Sequence, residues 1–597
     1  MTVTKECYAD LQEKYEKVKK LIEEDSKLDS TSEPYTSKYN AKQLLIGMKA
    51  NIENLLRSQT PGTKEFLKLT GMLATVFLYL GRIAIETEET STGEKFFKKC
   101  VDVIDKEELK PEIVIITLHI LNELGLFWAE REPTKSKLHL EKCEQSYKQF
   151  KESEAVPTDF DNLFHVDPVA DEITAFTNLE KAHTLTLYYL AQIYGTLGDA
   201  LKSAIYCHTT LKRQLEMNDY DHIDWALNAA TLSQFFMEKN GFKQARHHLA
   251  ASSYILDVYK KELDECTLQN DEYYAKVENF KHRSADVARC WAKYGLLLLS
   301  SSRDRLMNHE DIDTVCALST DLAKLDLTNM TLSSEDIANL EFRTLALSDQ
   351  ERQITDQFLL TFKDAREVFL NAKTWLEKAH NYYTLNSLAS DYIEIMQDQA
   401  QLYLNLLFFE DNPENQAKMH KRRIDLMENV LNEINPTYYM QYCKQLWFEL
   451  AQTYSEILYI KLDKLKESIE RPNPNTLTKI NNFIDKGIVY NNKFIDSFRD
   501  VVTKNLPDRI PEQYEKPYLK AIMANGALHG RYIVLDKEIN LQHVQASLEY
   551  YKKVLDYCQT NPEVKEVLPT EHSICTEMTT LLPVKIQKLK QEVPLSK

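Results

Sequence analysis

Apolar residues recur at three- and four-residue spacings along nearly the whole of this 597-residue chain, and alternating apolar–polar runs long enough for a strand are hard to find. That pattern predicts an all-α fold. The two residues that most often break regular structure are scarce: there are 13 Gly and 17 Pro, where ordinary usage would give roughly 40 and roughly 30. Architectures with many turns are therefore disfavoured. A hydrophobic content of 43% supplies a large core, and the length exceeds what one compact core normally supports, so several cores or an elongated repeat array are expected.

The interruptions are short and polar. Residues 25–38, 59–63, 152–171, 300–313, 411–416, 471–476 and 505–514 read as loops between helices. Between them a helix–turn–helix repeat shows through, in which a bulky residue is followed by Leu and a small residue three and four positions on, then by an aromatic three later. Trp447, Leu450, Ala451 and Tyr454 satisfy it, as do Leu187, Leu190, Ala191 and Tyr194, which are followed by a Gly198-Asp199 turn and by Ser203 and Cys207. A third copy runs Ala229, Leu232, Ser233, Phe236, then Asn240-Gly241, then Phe242, Ala245 and Leu249. Leu80-Gly81 with Gly93 and Phe97, Leu124-Gly125 with Trp128, and Ala546, Tyr550 and Leu555 extend the series. Six irregularly spaced copies point to a tetratricopeptide-like α-solenoid, a fold whose use is to present an extended binding surface. The organisation expected is an N-terminal helical subdomain (1–265), a polar loop and connecting helix (266–300), and a C-terminal helical subdomain (301–597). The acidic, Ser- and Thr-containing insertion at 325–353 reads as a solvated excursion.

Lys and Arg number 73 against 91 Asp and Glu, a formal net charge of −18. Such a surface repels nucleic acid and anionic lipid and favours a basic partner. The longest apolar runs noted, 113–121 and 295–299, are too short for a membrane helix, and the N-terminus shows no secretory pattern, so a cytoplasmic address is expected. Ten scattered cysteines without a CxxC read as buried, reduced thiols.

Catalytic apparatus is not visible: no GxGxxG, Walker-type loop, GxSxG, HExxH or EF-hand loop occurs. His208, His222, His247 and His248 lack partners at a recognised ligand spacing, so no metal or cofactor is expected. The basic run Lys418 to Arg423 lies in a helix with Ile424, Leu426 and Met427 and reads as a solvated face or one paired with acidic neighbours. More telling are Tyr189 and Gln192, which match Thr231 and Gln234 in the next repeat, each pair three apart and so on one helical face. They form either a polar stripe running across repeats or merely the boundary between core and solvent. Gln214 is a further loop-edge candidate.

The stretch YYLAQIYGTLGDALKSAIYCHTTLKRQLEMNDYDHIDWALNAATLSQF, beginning at Tyr188, resembles the signature region of the KIF-binding protein family, the kinesin-binding regulators. YTSKYNAKQLL, FWAERE, ARCWAKY, KMHKRRI, KINNF and LLPVKI, in that order along the chain, resemble further family segments, and only 259–279 departs clearly. The resemblance implies a right-handed solenoid of two subdomains joined by a long connecting helix, which clasps kinesin motor domains and blocks their attachment to microtubules. Roles in axonal microtubule organisation and neurogenesis, a cytoskeleton-associated cytoplasmic location and no catalysis are implied with it. The motor-contacting positions it implies are Tyr189, Gln192, Gln214 and Thr231, with Gln234 adjacent. The alternatives are a scaffold that links membrane cargo or mitochondria to the cytoskeleton without inhibiting a motor, with at most an indirect association with microtubules, and a chaperone adaptor whose repeat groove captures an acidic C-terminal peptide.

Overall fold

The computed structural model describes residues 5–166, 172–267, 270–308, 321, 340–467, 473–500 and 502–592. Among these residues all regular structure is helical and no strand occurs. The chain divides into two compact units, one of residues 1–266 with 315–350, the other of residues 267–314 with 351–597.

The first unit is a succession of helical hairpins: α1 (Lys5–Glu23), α2 (Thr36–Leu56), α3 (Lys64–Glu86), α4 (Thr90–Ile104), α5 (Val114–Ala129), α6 (Pro133–Glu152), α7 (Glu172–Thr196), α8 (Ala200–Met217), α9 (His222–Glu238) and α10 (Phe242–Glu265). Helices α3 and α4, α5 and α6, α7 and α8, and α9 and α10 pack on one another as neighbours in sequence, while α5 also packs on α7. That is the layering of a solenoid. The small residues of the repeat pattern explain how the pairs close up. A Cβ built on Gly81 would lie 2.3 Å from the Phe97 ring, and one on Gly125 would lie 2.4 Å from Leu140, so neither position has room for a side chain. Where the backbones approach, a small polar side chain on the second helix donates to a carbonyl on the first: Ser136 Oγ to Gly125 O (2.6 Å) and Ser252 Oγ to Ala226 O (2.7 Å). Turns make little use of glycine. Asp199 and Asp221 cap α8 and α9 through their side chains, and Asn218 and Asn240 take the left-handed conformation that closes α8 and the α9–α10 turn.

The second unit contains α11 (Asp271–Met307), α12 (Phe362–His380), α13 (Ala389–Leu407), α14 (Pro413–Glu433), α15 (Pro436–Glu467), α16 (Pro474–Asp496), α17 (Glu512–His529), α18 (Lys537–Thr560) and α19 (Pro569–Glu592). Each packs on the next in sequence, and α11 also touches α13. The same device recurs, with Ser547 Oγ donating to Gly526 O at 2.6 Å.

Several expectations need correction. The connecting helix does not stop at 300. Ser302 is buried, donates to Leu298 O (2.6 Å) and accepts from the Leu359 N–H (3.0 Å), so a serine run that reads as loop continues α11 to Met307. Part of the insertion at 325–353 is core, because Leu340, Phe342 and Leu347 are buried within an acidic context that hides them; residues 325–339 lie outside those described. In α18 the buried stripe is Val544, Ser547, Leu548, Tyr551, Val554 and Cys558, while Ala546, Tyr550 and Leu555 are only half-buried, so the phase expected for that repeat is not the one the helix buries. Helices α2, α14, α16 and α17 begin inside segments whose composition predicts loops.

Among the cysteines, Cys100, Cys143, Cys443, Cys558 and Cys575 are buried, Cys207 and Cys290 intermediate, and Cys7 and Cys266 exposed, against the expectation; Cys316 lies outside the described residues. Burial pushes the Cys100 and Cys143 thiols up, leaving them unreactive. Finally, α3 is long and apolar enough by composition to cross a membrane, which the run-length reading missed because Thr70, Gly71 and Thr75 interrupt it. Most of it is buried against the rest of the first unit, as expected for a core helix.

Candidate functional site

The α7 sequence divides its residues between two faces. Leu187, Leu190, Ala191 and Tyr194 are buried against Ile205 and Tyr206 of α8 and Leu140 of α6. Tyr189 is left half-buried and Gln192 exposed. Both line a cleft of about 610 Å³ whose other walls include Phe97 of α4, Glu123 and Phe127 of α5, and Arg131 of the α5–α6 turn.

The cleft owes its shape to the repeat packing. Gly125 admits Leu140, and Pro133 at the first turn of α6 sets the tight turn on which Arg131 is carried. The Arg131 guanidinium lies 4.1 Å from the Phe127 ring centroid, a cation–π contact at the rim. Nearby, Arg82 Nε pairs with Glu123 Oε1 at 2.7 Å. Burial, and then the negative charge of Glu123, push the Tyr189 hydroxyl above its ordinary range, while Arg82 acts the other way. Tyr189 is therefore a protonated hydrogen-bond donor at neutral pH, with its ring 5.7 Å from that of Tyr188. Such a cleft can seat a protruding side chain and hold it by aromatic contact and by directional bonds from Tyr189 and Gln192. No group of three or more potential metal ligands is found among the described residues.

The other candidates do not line this cleft. Gln214 is half-buried near the end of α8, where its carbonyl accepts the N–H groups of Asn218 and Asp219. Thr231 is exposed and Gln234 half-buried on α9, opposite the buried Ala229, Leu232, Ser233 and Phe236. Sequence reasoning missed Phe127, Glu123 and Arg131. Two of these belong to the FWAERE segment, whose aromatic–basic run at the end of a repeat's first helix was the available signal.

The basic run of α14 is split between two faces: Lys418, Lys421 and Arg422 are exposed, while His420 and Arg423 are buried. Arg423 is 2% exposed and reaches Glu449 Oε1 (2.9 Å) and Glu456 Oε2 (3.3 Å), while Lys421 pairs with Asp425 (2.7 Å). Both readings are seen, a solvated face at Lys418, Lys421 and Arg422 and acidic partners for Arg423 and Lys421.

A family model described as KIF-1 binding protein C terminal matches residues 223–589, which include Thr231 and Gln234. The KIF-binding protein of Drosophila melanogaster is 34% identical, over 99% of this chain and 98% of its own length. The chain belongs to the KIF-binding protein family. The human KIF-binding protein is 32% identical over 99% of each chain. A KIFBP chain solved by cryo-electron microscopy, 28% identical, covers 99% of this chain and 100% of its own with a TM-score of 0.65. Family membership thus extends over the whole sequence and is matched by the helical solenoid fold.

Proposed function

We propose that this chain is a non-catalytic regulator that binds kinesin motor domains and blocks their attachment to microtubules, acting in the cytoplasm in association with the cytoskeleton and supporting axonal microtubule organisation and transport. The observation that carries the reading is the end-to-end similarity to proteins named KIF-binding protein. Charge agrees with it. Microtubule surfaces are acidic, so the track-facing surface of a motor is basic, and a chain of net charge −18 can compete for it by complementary charge, which favours encounter rate and selectivity. Tyr189, Gln192, Gln214, Thr231 and Gln234 are the proposed contacts, with the Tyr189–Gln192 cleft seating a motor side chain and the others adding polar contacts on α8 and α9.

Co-sedimentation of purified kinesin motor domains with microtubules tests this. Saturating protein should move at least one motor from the pellet to the supernatant, and the effect should weaken as salt screens the interaction. Motors that pellet unchanged at saturation would sink the proposal.

A further inference from the structure

Residues 340–350 fold with the first unit although both sequence neighbours, 267–314 and 351–597, belong to the second. The segment has no helix until Ser348, yet its Phe342 is 1% exposed. The ring sits among aromatic rings from three helices, with centroids 4.6 Å from His208 of α8, 5.2 Å from Trp225 of α9, and 5.6 and 5.1 Å from His247 and His248 of α10. The site is built to hold it. His248 Nδ1 lies 2.7 Å from the Gln244 carbonyl and so carries its proton there, which leaves His248 Nε2 to accept from His208 Nδ1 at 2.9 Å. The His208–His248 pair is thereby fixed as a neutral wall. His247 Nε2 accepts the Phe342 backbone N–H at 2.8 Å. Outside the niche, charge is complementary: Lys243 pairs with Glu341 (3.1 Å) and Lys239 with Asp321 (3.3 Å). Leu340, immediately before, has φ +47°, a conformation that residues with a branched apolar side chain seldom adopt.

Main-chain capture, a pocket for one side chain and a matched flanking charge are the elements of extended-peptide recognition. We propose that residues 340–347 are a built-in ligand, and that the niche on α8–α10 accepts in their place a partner's extended segment with an acidic residue followed by an aromatic one. The tethered copy occupies the niche at high effective concentration, so a partner segment displaces it by adding contacts beyond the dipeptide. This inference is independent of motor binding.

The test uses the full chain and a fluorescent peptide of residues 340–350, LEFRTLALSDQ. The peptide should bind the Phe342→Ala chain saturably and at least tenfold more tightly than the wild-type chain, whose niche is filled. The same peptide carrying the Phe342→Ala change should not bind. Equal binding to both chains, or none to the variant, overturns the proposal. Hydrogen exchange of the wild-type chain covers the case of a misfolded variant. A displaceable ligand opens without unfolding its receptor, so residues 341–347 should exchange at least tenfold faster than the cores of α8 and α10. Exchange at the same rate as those helices would make Phe342 an ordinary core residue and overturn the proposal.

Discussion

Tyr189 and Gln192 lie three positions apart on α7, one half-buried and one exposed, at the mouth of the same cleft. A rigid aromatic at the edge of a pocket that a partner would desolvate is the kind of residue on which binding energy concentrates. Tyr189→Ala combined with Gln192→Ala should weaken binding of a kinesin motor by about 2 kcal/mol, roughly thirtyfold. Titration calorimetry would measure it, and helical content and melting should be unchanged; unaltered affinity would remove the cleft from the interface, and a lost fold would make Tyr189 a core residue. At this scale the core was readable from sequence. Leu187, Leu190, Ala191 and Tyr194 are buried as the repeat pattern requires, since one helical period decides which face is apolar. The cleft was not readable. Its walls come from Phe97, Glu123, Phe127, Arg131 and Tyr189, which a single helical period cannot relate because four separate segments supply them.

Element boundaries and phases were harder to read because polar residues have uses inside helices. Ser302 satisfies itself on Leu298 and on Leu359, so a serine run passes through α11 unbroken. Arg423 makes the same point with charge. On composition the basic run of α14 reads as surface, but an arginine held by two glutamates on α15 can be buried, and here it ties α14 to α15. Burial raises the carboxyl of Glu456 above its ordinary range and Arg423 pulls it back, so that carboxylate depends on its partner. Arg423→Met keeps the length and apolar stem but leaves Glu449 and Glu456 without the guanidinium. Removing one partner of a buried pair costs about 3–5 kcal/mol, and the partial exposure of both carboxylates reduces this to about 2–3 kcal/mol. Urea unfolding followed by helical circular dichroism should show that loss in the second unit's transition. A midpoint within error of the wild type would show that the pair contributes nothing to holding the two helices together.

Across the whole molecule the charge of −18 is accompanied by buried imidazoles, those of His183, His208, His248 and His420. Burial pulls His119 and His248 down to about 3, with Arg82 and His247 respectively adding to it, and His420 to about 4, with Arg423 adding to it. His183 and His208 are lowered well below their ordinary value by the same cause. An unfolded chain binds protons on these groups below about pH 6.5 whereas the folded chain does not, so their contribution to stability is present above that pH and is lost as the pH falls towards their folded values. At pH 5 a single histidine of this kind costs about 2 kcal/mol. Carboxyls held high by burial work in the opposite sense, because the folded state takes up their protons first. Asp398, raised to about 6 by burial, is the strongest case, with Asp159 and Glu456 raised as well. At pH 5 Asp398 returns about 1.4 kcal/mol by the same linkage, less than one buried histidine costs, and five such histidines stand against three carboxyls. The melting temperature should therefore fall by several degrees between pH 7.5 and pH 5.5, which differential scanning calorimetry at constant ionic strength would record. A melting temperature that holds steady or rises over that interval would mean that these imidazoles do take up protons inside the fold.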